Sequence, residues 1–262
     1  MLLFLCAMAK PHAKFRVPRR ELVVGEIPLV VGTLSALAPG FPAASHDIPS
    51  DVVEFRLDKM PGEINWLNWA RLVEAAGVPV IATIRLRTEG GDWPGPDRER
   101  LSLYTQALEN LSAVDVEFNS EICAPVSEMG RKLGKLCILS FHDFERTPPV
   151  ADLQDIASKA QNLGSVVKIS TVITKPEDLE TLEKLLALEW RVPLCVIGMG
   201  PLGTNSRVSL AAKGSCLTYG YLDQAAAPGQ LAASELVAQL RAILPAYDRH
   251  FSLRQQVAEA VR

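Results

Sequence analysis

Lys168 lies inside the apolar run SVVKIS at residues 165–170, whose β-branched neighbours predict a buried strand. A buried ammonium is costly unless it is paired or gives up its proton. Once neutral, the same amine is a nucleophile toward carbonyls and condenses with them to an imine. Taken alone, the residue fits equally a strand-end lysine whose stem packs while its head reaches water. The other strands decide between these readings, because several carry charges at the same two-residue spacing.

Residues of one parity share a strand face. Glu54, Arg56 and Asp58 stand together against Val53, Phe55 and Leu57, and Asp115, Glu117 and Asn119 against Val114, Val116 and Phe118. Ser140 pairs in this sense with His142 and Lys168 with Ser170, while Arg85 ends another apolar run. An internal ion-pair network, with Glu54 matched to Arg56 or Arg85, would give the same pattern, but such networks are poor sources of stability. So many acids and bases at successive strand ends point to an active site. Of four histidines, only His142 closes a buried strand and suits a general base; His12 and His250 fall in expected tails and His46 in a Pro/Ala-rich loop. By themselves Glu89 reads as a loop carboxylate and Lys175, before Pro176, as a solvated lysine at a helix start. Arg207 follows the glycine-rich segment 198–203, where backbone amides and a guanidinium can take an anion, although a structural glycine loop looks much the same.

These residues need a scaffold that brings many strand ends together. Apolar runs predict strands at 28–33, 52–58, 78–85, 113–118, 136–141, 165–170, 193–197 and 215–219. Helical spacing predicts helices at 63–76, 97–111, 121–133, 151–163, 177–188 and 231–244. Strands alternating with helices imply parallel pairing with right-handed crossovers, and eight such units in this length predict an α/β fold, a single (β/α)8 TIM barrel. A doubly wound open sheet is the alternative, but no GxGxxG or GxxxxGK[ST] follows the first strand. In a barrel the outer strand face packs on helices, so the charged parity must point inward at the C-terminal mouth. The expected organisation is an N-terminal extension at 1–24 that could be flexible, the catalytic barrel at 25–250, and a C-terminal helical tail at 251–262.

The bulk composition is that of an ordinary globular protein: 262 residues, 48% hydrophobic and 22% charged. A net charge of −3 argues against nucleic acid or an anionic membrane as partner. Five cysteines, odd in number and without metal-ligand spacing, read as buried hydrophobes in a reducing, cytoplasmic setting. Residues 1–9 are apolar, but no basic segment precedes them, so a secretory signal is not expected.

Read in order, the motifs resemble type I 3-dehydroquinate dehydratase: EFRLD at 54–58, TIRLRTEGG at 83–91, VDVEF at 114–118, SFHDF at 140–144 and VKI at 167–169. MGPLGTNSR at 199–207, GSCLTYG at 214–220 and APGQ at 227–230 continue the series, so that the resemblance spans residues 28 to about 245. It implies dehydration of 3-dehydroquinate to 3-dehydroshikimate in the shikimate pathway, a carbon–oxygen lyase step toward chorismate and the aromatic amino acids. It further implies Lys168 as the Schiff-base lysine, His142 as general base and acid, and Glu89 as the carboxylate assisting that histidine. Thr33, Glu54, Arg56, Arg85, Met199, Arg207, Tyr219, Ala226, Ala227 and Gln230 match substrate-binding positions, with Arg207 the partner of the substrate carboxylate. Thr33 stands where serine is common, Ala226 where the closing loop often has serine, and Ile197 where a first methionine is frequent.

The implied chemistry calls for no metal and no organic cofactor, and its partner is a small molecule. A histidine near its ordinary pKa of ~6.5 suits both halves of the proton transfer. A homodimer is an expectation that no particular residue pattern carries. Two further readings remain at this level. A class I aldolase would use the same lysine for C–C cleavage, and a non-enzymatic binding barrel would have its interior charges paired off.

Overall fold

The computed structural model describes residues 11–18, 20–36, 48–60, 62, 64–225 and 229–260. Its centre is eight parallel strands: β3 (Leu29–Leu34), β4 (Val52–Arg56), β5 (Val80–Thr83), β6 (Ala113–Glu117), β7 (Leu136–Asp143), β8 (Val166–Val172), β9 (Leu194–Met199) and β10 (Leu217–Tyr221). They lie side by side in chain order, with β10 returning to β3. No regular ladder joins β9 to β10. That seam is bridged by the Cys216 amide on the Leu194 carbonyl (3.0 Å) and by the Val196 amide on the Ser215 hydroxyl (2.8 Å), which makes a nearly closed barrel.

The expected eight units are thus present, and six of the surrounding helices fall at the expected places: α1 (Trp66–Ala75), α2 (Arg100–Asn110), α3 (Cys123–Leu133), α4 (Val150–Ala160), α5 (Pro176–Leu186) and α7 (Ala233–Ile243). The short α6 (Ser206–Ala212) joins β9 to β10 and was not foreseen. Local chemistry sets the ends. Gly134, at φ 66°, supplies the left-handed stop of α3. Asp178 in α5 accepts the amides of Thr174 (2.8 Å) and Lys175 (3.1 Å), satisfying donors that the helix start leaves open.

Outward strand residues such as Val53, Phe55, Val114, Val116, Val167 and Ile169 are buried against the helices. Inward residues divide by height. Leu29, Val52, Ile81, Ala113, Leu136 and Val166 fill the lower barrel with apolar side chains, and the charged residues follow two and four positions further along the strands. The barrel is therefore a packed core with a polar mouth.

The segment 13–24 departs from the expected extension. β1 (Ala13–Val17) and β2 (Arg20–Val24) form an antiparallel hairpin whose Phe15, Leu22 and Val24 pack on the lower barrel layer. Burying one such side chain contributes about 1.5–3 kcal/mol, so this hairpin acts as a plug for the barrel floor. Residues 1–10 lie outside the described residues.

The tail also differs. α8 (Pro245–Ala260) starts before residue 251, immediately after α7, where Pro245 forces a new helix. It docks through buried Asp51, which accepts the Tyr247 hydroxyl (2.8 Å) and lies 3.2 Å from His250 Nε2. His250 is thus a packed residue at the barrel floor instead of a tail bystander. No described helix is long and apolar enough to cross a membrane.

Candidate active site

Lys168 sits in the middle of β8, only 5% exposed. Its Nζ donates to Asp115 Oδ2 in β6 at 2.9 Å, and the Tyr219 ring from β10 covers it with a centroid 4.2 Å away. Asp115 Oδ1 accepts from Arg85 Nη2 and from the Ser140 hydroxyl, both at 2.7 Å. Arg85 continues to Glu117 Oε1 (3.2 Å), and Glu117 Oε2 pairs with buried Arg100 (2.6 Å). Burial alone would raise the Asp115 carboxyl; the charges of Arg85 and Lys168 overcome it and hold the group well below the usual carboxylate range.

The internal ion-pair network weighed as the alternative reading, with Glu54 matched to an arginine, is not the arrangement found. Glu54 meets neither Arg56 nor Arg85; it accepts hydroxyl hydrogens from Thr33 (3.0 Å) and Thr83 (2.8 Å). Register explains this, since Thr33 lies beside Glu54 on the neighbouring strand and Thr83 belongs to the strand on the other side. Arg56 is gripped by both oxygens of Asp58, at 2.9 and 2.7 Å.

His142 closes β7, with Nδ1 2.9 Å from Glu89 Oε2, and the same oxygen accepts the His142 amide at 3.2 Å. Glu89 reaches it from the turn after β5, where Gly90 at φ 76° packs against the Phe144 ring. That ring stacks on the imidazole, with centroids 6.1 Å apart. With Nδ1 engaged, Nε2 is left to face a reactant. Burial, then the charges of Arg85 and Lys168, push His142 well below its ordinary pKa, so the imidazole is neutral in the resting site. This revises the expectation of a histidine near its ordinary value. Burial likewise raises Glu89, to about 7, against the opposing pull of Arg85 and with help from Glu117 and Asp115.

Arg207 enters from α6, 6% exposed. Its Nη1 donates to the Tyr219 carbonyl (2.9 Å), its Nε has no partner, and it forms no ion pair among the described residues. Burial lowers its pKa to about 10. A buried guanidinium without a carboxylate lacks the interaction that would best offset its desolvation, so an anion could bind there favourably. The loop before it is tight, because a Cβ on Gly203 would lie 2.6 Å from the Gly198 backbone.

One cleft of about 630 Å³, open at its mouth, gathers these groups. Lys168, His142 and Glu89 line it together with Thr33, Glu54, Arg56, Arg85, Met199, Arg207, Tyr219 and Gln230. Ala226 and Ala227 lie outside the described residues. The cleft also takes in Gly90, Phe144, Ser170 and Ile197, and beneath it lie Asp115 and Ser140, to which no site role was given from sequence. Asp115 carried a signal, the parity it shares with Glu117. Among the described residues no group of three or more His, Cys, Asp or Glu is arranged to hold a metal ion.

An amine beside a neutral imidazole, with cationic anchors around both, can form an imine and move a proton at the neighbouring carbon. Comparison with known proteins gives the family. The profile of the family described as Type I 3-dehydroquinase matches residues 27–245. The 3-dehydroquinate dehydratase of Pyrobaculum aerophilum is 36% identical over 217 residues, covering 82% of this chain and 71% of that protein. That of Methanocella arvoryzae is 33% identical over 198 residues, 73% of this chain and 87% of that one. Among solved structures, 3-dehydroquinate dehydratase from Aquifex aeolicus superposes with a TM-score of 0.73 at 26% identity, covering 82% of this chain and 99% of its own. The Geobacillus kaustophilus enzyme gives 0.75 at 23% identity, over 91% and 98%, a likeness of fold.

Proposed function

Because the chain belongs to the type I 3-dehydroquinase family and carries 3-dehydroquinate dehydratase activity in the shikimate pathway, we propose that Lys168 forms the Schiff base and His142 moves the protons. The observation that carries this reading is one cleft uniting an amine, a neutral imidazole held by a carboxylate, and an anion-seeking guanidinium. The aldolase and binding-barrel readings give way to it.

In the proposed cycle Arg207 takes the substrate carboxylate and places the ketone at Lys168. The Lys168 amine attacks the carbonyl after shedding a proton, and a proton returned to the carbinolamine hydroxyl lets it leave as water. Ammonium plus ketone thus give one water and an iminium, an electron sink that acidifies the adjacent carbon. His142 Nε2 removes a proton there, and the electron pair flows to nitrogen as an enamine. The enamine then pushes out the β-hydroxyl, which leaves as water with the proton from His142. Water hydrolyses the remaining iminium and releases 3-dehydroshikimate. Glu54, Arg56, Arg85 and Gln230 hold ring hydroxyls and the carbonyl oxygen, and Thr33, Met199 and Tyr219 shape the pocket around the ring. Ala226 and Ala227, outside the described residues, are assigned to substrate binding by the family resemblance alone. The proposal includes homodimeric assembly and a reducing, cytoplasmic location, in keeping with the free thiols of Cys123, Cys137, Cys195 and Cys216.

Arg207→Lys tests the carboxylate assignment. A point charge cannot replace a planar fork, and a charged hydrogen bond is worth about 1.5–3 kcal/mol. KM for 3-dehydroquinate is expected to rise roughly 10- to 100-fold with the fold intact. An unchanged KM would move the carboxylate elsewhere.

Glu89 makes a pH prediction. Its carboxyl titrates near 7, so it is protonated below that value and ionised above it. Only the ionised form stabilises the imidazolium that His142 becomes, and His142 itself stays neutral to lower pH. Activity should therefore climb with pH through an inflection near 7. In Glu89→Gln this inflection should vanish while activity falls at alkaline pH. If the inflection survives the substitution, it belongs to another group.

A further inference from the structure

We propose that Asp115 is the counter-ion of the Lys168 iminium, holding the proton on that nitrogen so that the electron sink stays charged until the α-proton leaves. The inference rests on Lys168 as the imine-forming amine and adds a residue to which the reaction had given no task.

Three observations support it. Among the described residues Asp115 Oδ2, at 2.9 Å, is the one hydrogen-bond acceptor of Lys168 Nζ, the opposite side being covered by the face of the Tyr219 ring. The carboxylate cannot swing away, since Oδ1 is held by Arg85 Nη2 and Ser140 Oγ at 2.7 Å each. It is also fully buried, so water does not compete for it. Besides Arg85 and Glu117, the latter on the same strand as Asp115, the titratable groups facing the pair from the other elements are Glu89, Tyr104, His142, Cys195 and Tyr219. Arg85 is the permanent cation next to the site, and its charge opposes that of the iminium. Asp115 offsets it, and the strong hold of both cations keeps the carboxylate ionised, against the burial that would otherwise raise its pKa.

The charge balance suits this task. An ammonium and a ketone combine to an iminium plus one water, with no proton released, so nitrogen carries one positive charge and at least one N–H on both sides of the step. The tether of the lysine keeps that N–H within reach of Oδ2. When His142 takes the α-proton, the positive charge passes from nitrogen to imidazole, and it returns when the hydroxyl leaves. A neutral imine would withdraw far less electron density, and elimination would stall. An opposite charge at this distance typically shifts a proton equilibrium by ~1–3 pKa units.

Asp115→Asn keeps the shape and removes the charge. Borohydride should still trap an adduct with substrate in this variant. Elimination, measured as enone formation in a single turnover, should fall roughly 10- to 1000-fold at neutral pH, and further as pH rises. A purely structural role would lower the rate without steepening its decline at alkaline pH, and that result would overturn the proposal. A second measurement on the unaltered protein decides the matter even if the variant fails to fold. With ¹⁵N at the lysine side chains and excess substrate and product, the imine nitrogen should keep the resonance of a protonated iminium from mildly acid to mildly alkaline pH. A neutral imine at neutral pH would overturn the counter-ion while leaving Lys168 in place; no imine at all would overturn both.

Discussion

Lys168→Ala is expected to abolish dehydration, lowering kcat by roughly 10⁶-fold or more, the low end of ordinary enzymatic acceleration. Lys168 is the lysine among the described residues that line the cleft, so no second amine stands ready to replace it. The loss should be chemical, not structural. With the amine gone, Asp115 retains Arg85 and Ser140 as partners and is not left as an isolated buried charge. Binding through Arg207 should persist, so the variant should still bind substrate reversibly. Enone absorbance in the steady state and substrate binding by calorimetry check the two halves of this prediction. Turnover within tenfold of the unaltered protein would remove the imine from the mechanism.

His142→Ala is expected to cost about 10²–10⁴-fold in elimination, the usual worth of general acid–base catalysis. The amine, Asp115 and Arg207 are untouched, so imine formation should continue and the adduct should accumulate. Glu89 loses its imidazole partner but keeps its place in the turn before Gly90. A single-turnover experiment separates adduct formation from enone release. A larger loss would mean that His142 also serves imine formation or hydrolysis. Dehydration at the native rate would make His142 a structural residue and Glu89 the first alternative base.

The strand parities explain why much of the site could be read in the chain. A period of two admits only two faces, and helices must cover the outer one, so Glu54, Arg56, Lys168 and His142 had to look inward. What parity leaves open is height and partner. Asp115 meets Lys168 across an intervening strand because the strands of a barrel are staggered, and stagger is set by closure and not by any one strand. The alternative pairing of Glu54 with an arginine, which parity alone allowed, is not formed, and the threonine hydroxyls of the two adjacent strands take the carboxylate instead.

The hairpin at the floor is instructive in a different way. Lys14 and Arg16 alternate with Phe15 and Val17, a pattern that strands show. A two-stranded hairpin is marginal in isolation, however, and the barrel floor that stabilises it is assembled from residues spread from 29 to 217. Likewise His250 gains its place only because Asp51, nearly 200 residues earlier in the chain, is buried beneath α8.

The account stands or falls on the covalent bond at Lys168. Borohydride added to the protein with 3-dehydroquinate should fix a substrate- or product-sized mass, and peptide mass spectrometry should place it on Lys168. No label should form without substrate or in Lys168→Ala. A label on another lysine, or undiminished turnover without any label, would contradict the central claim.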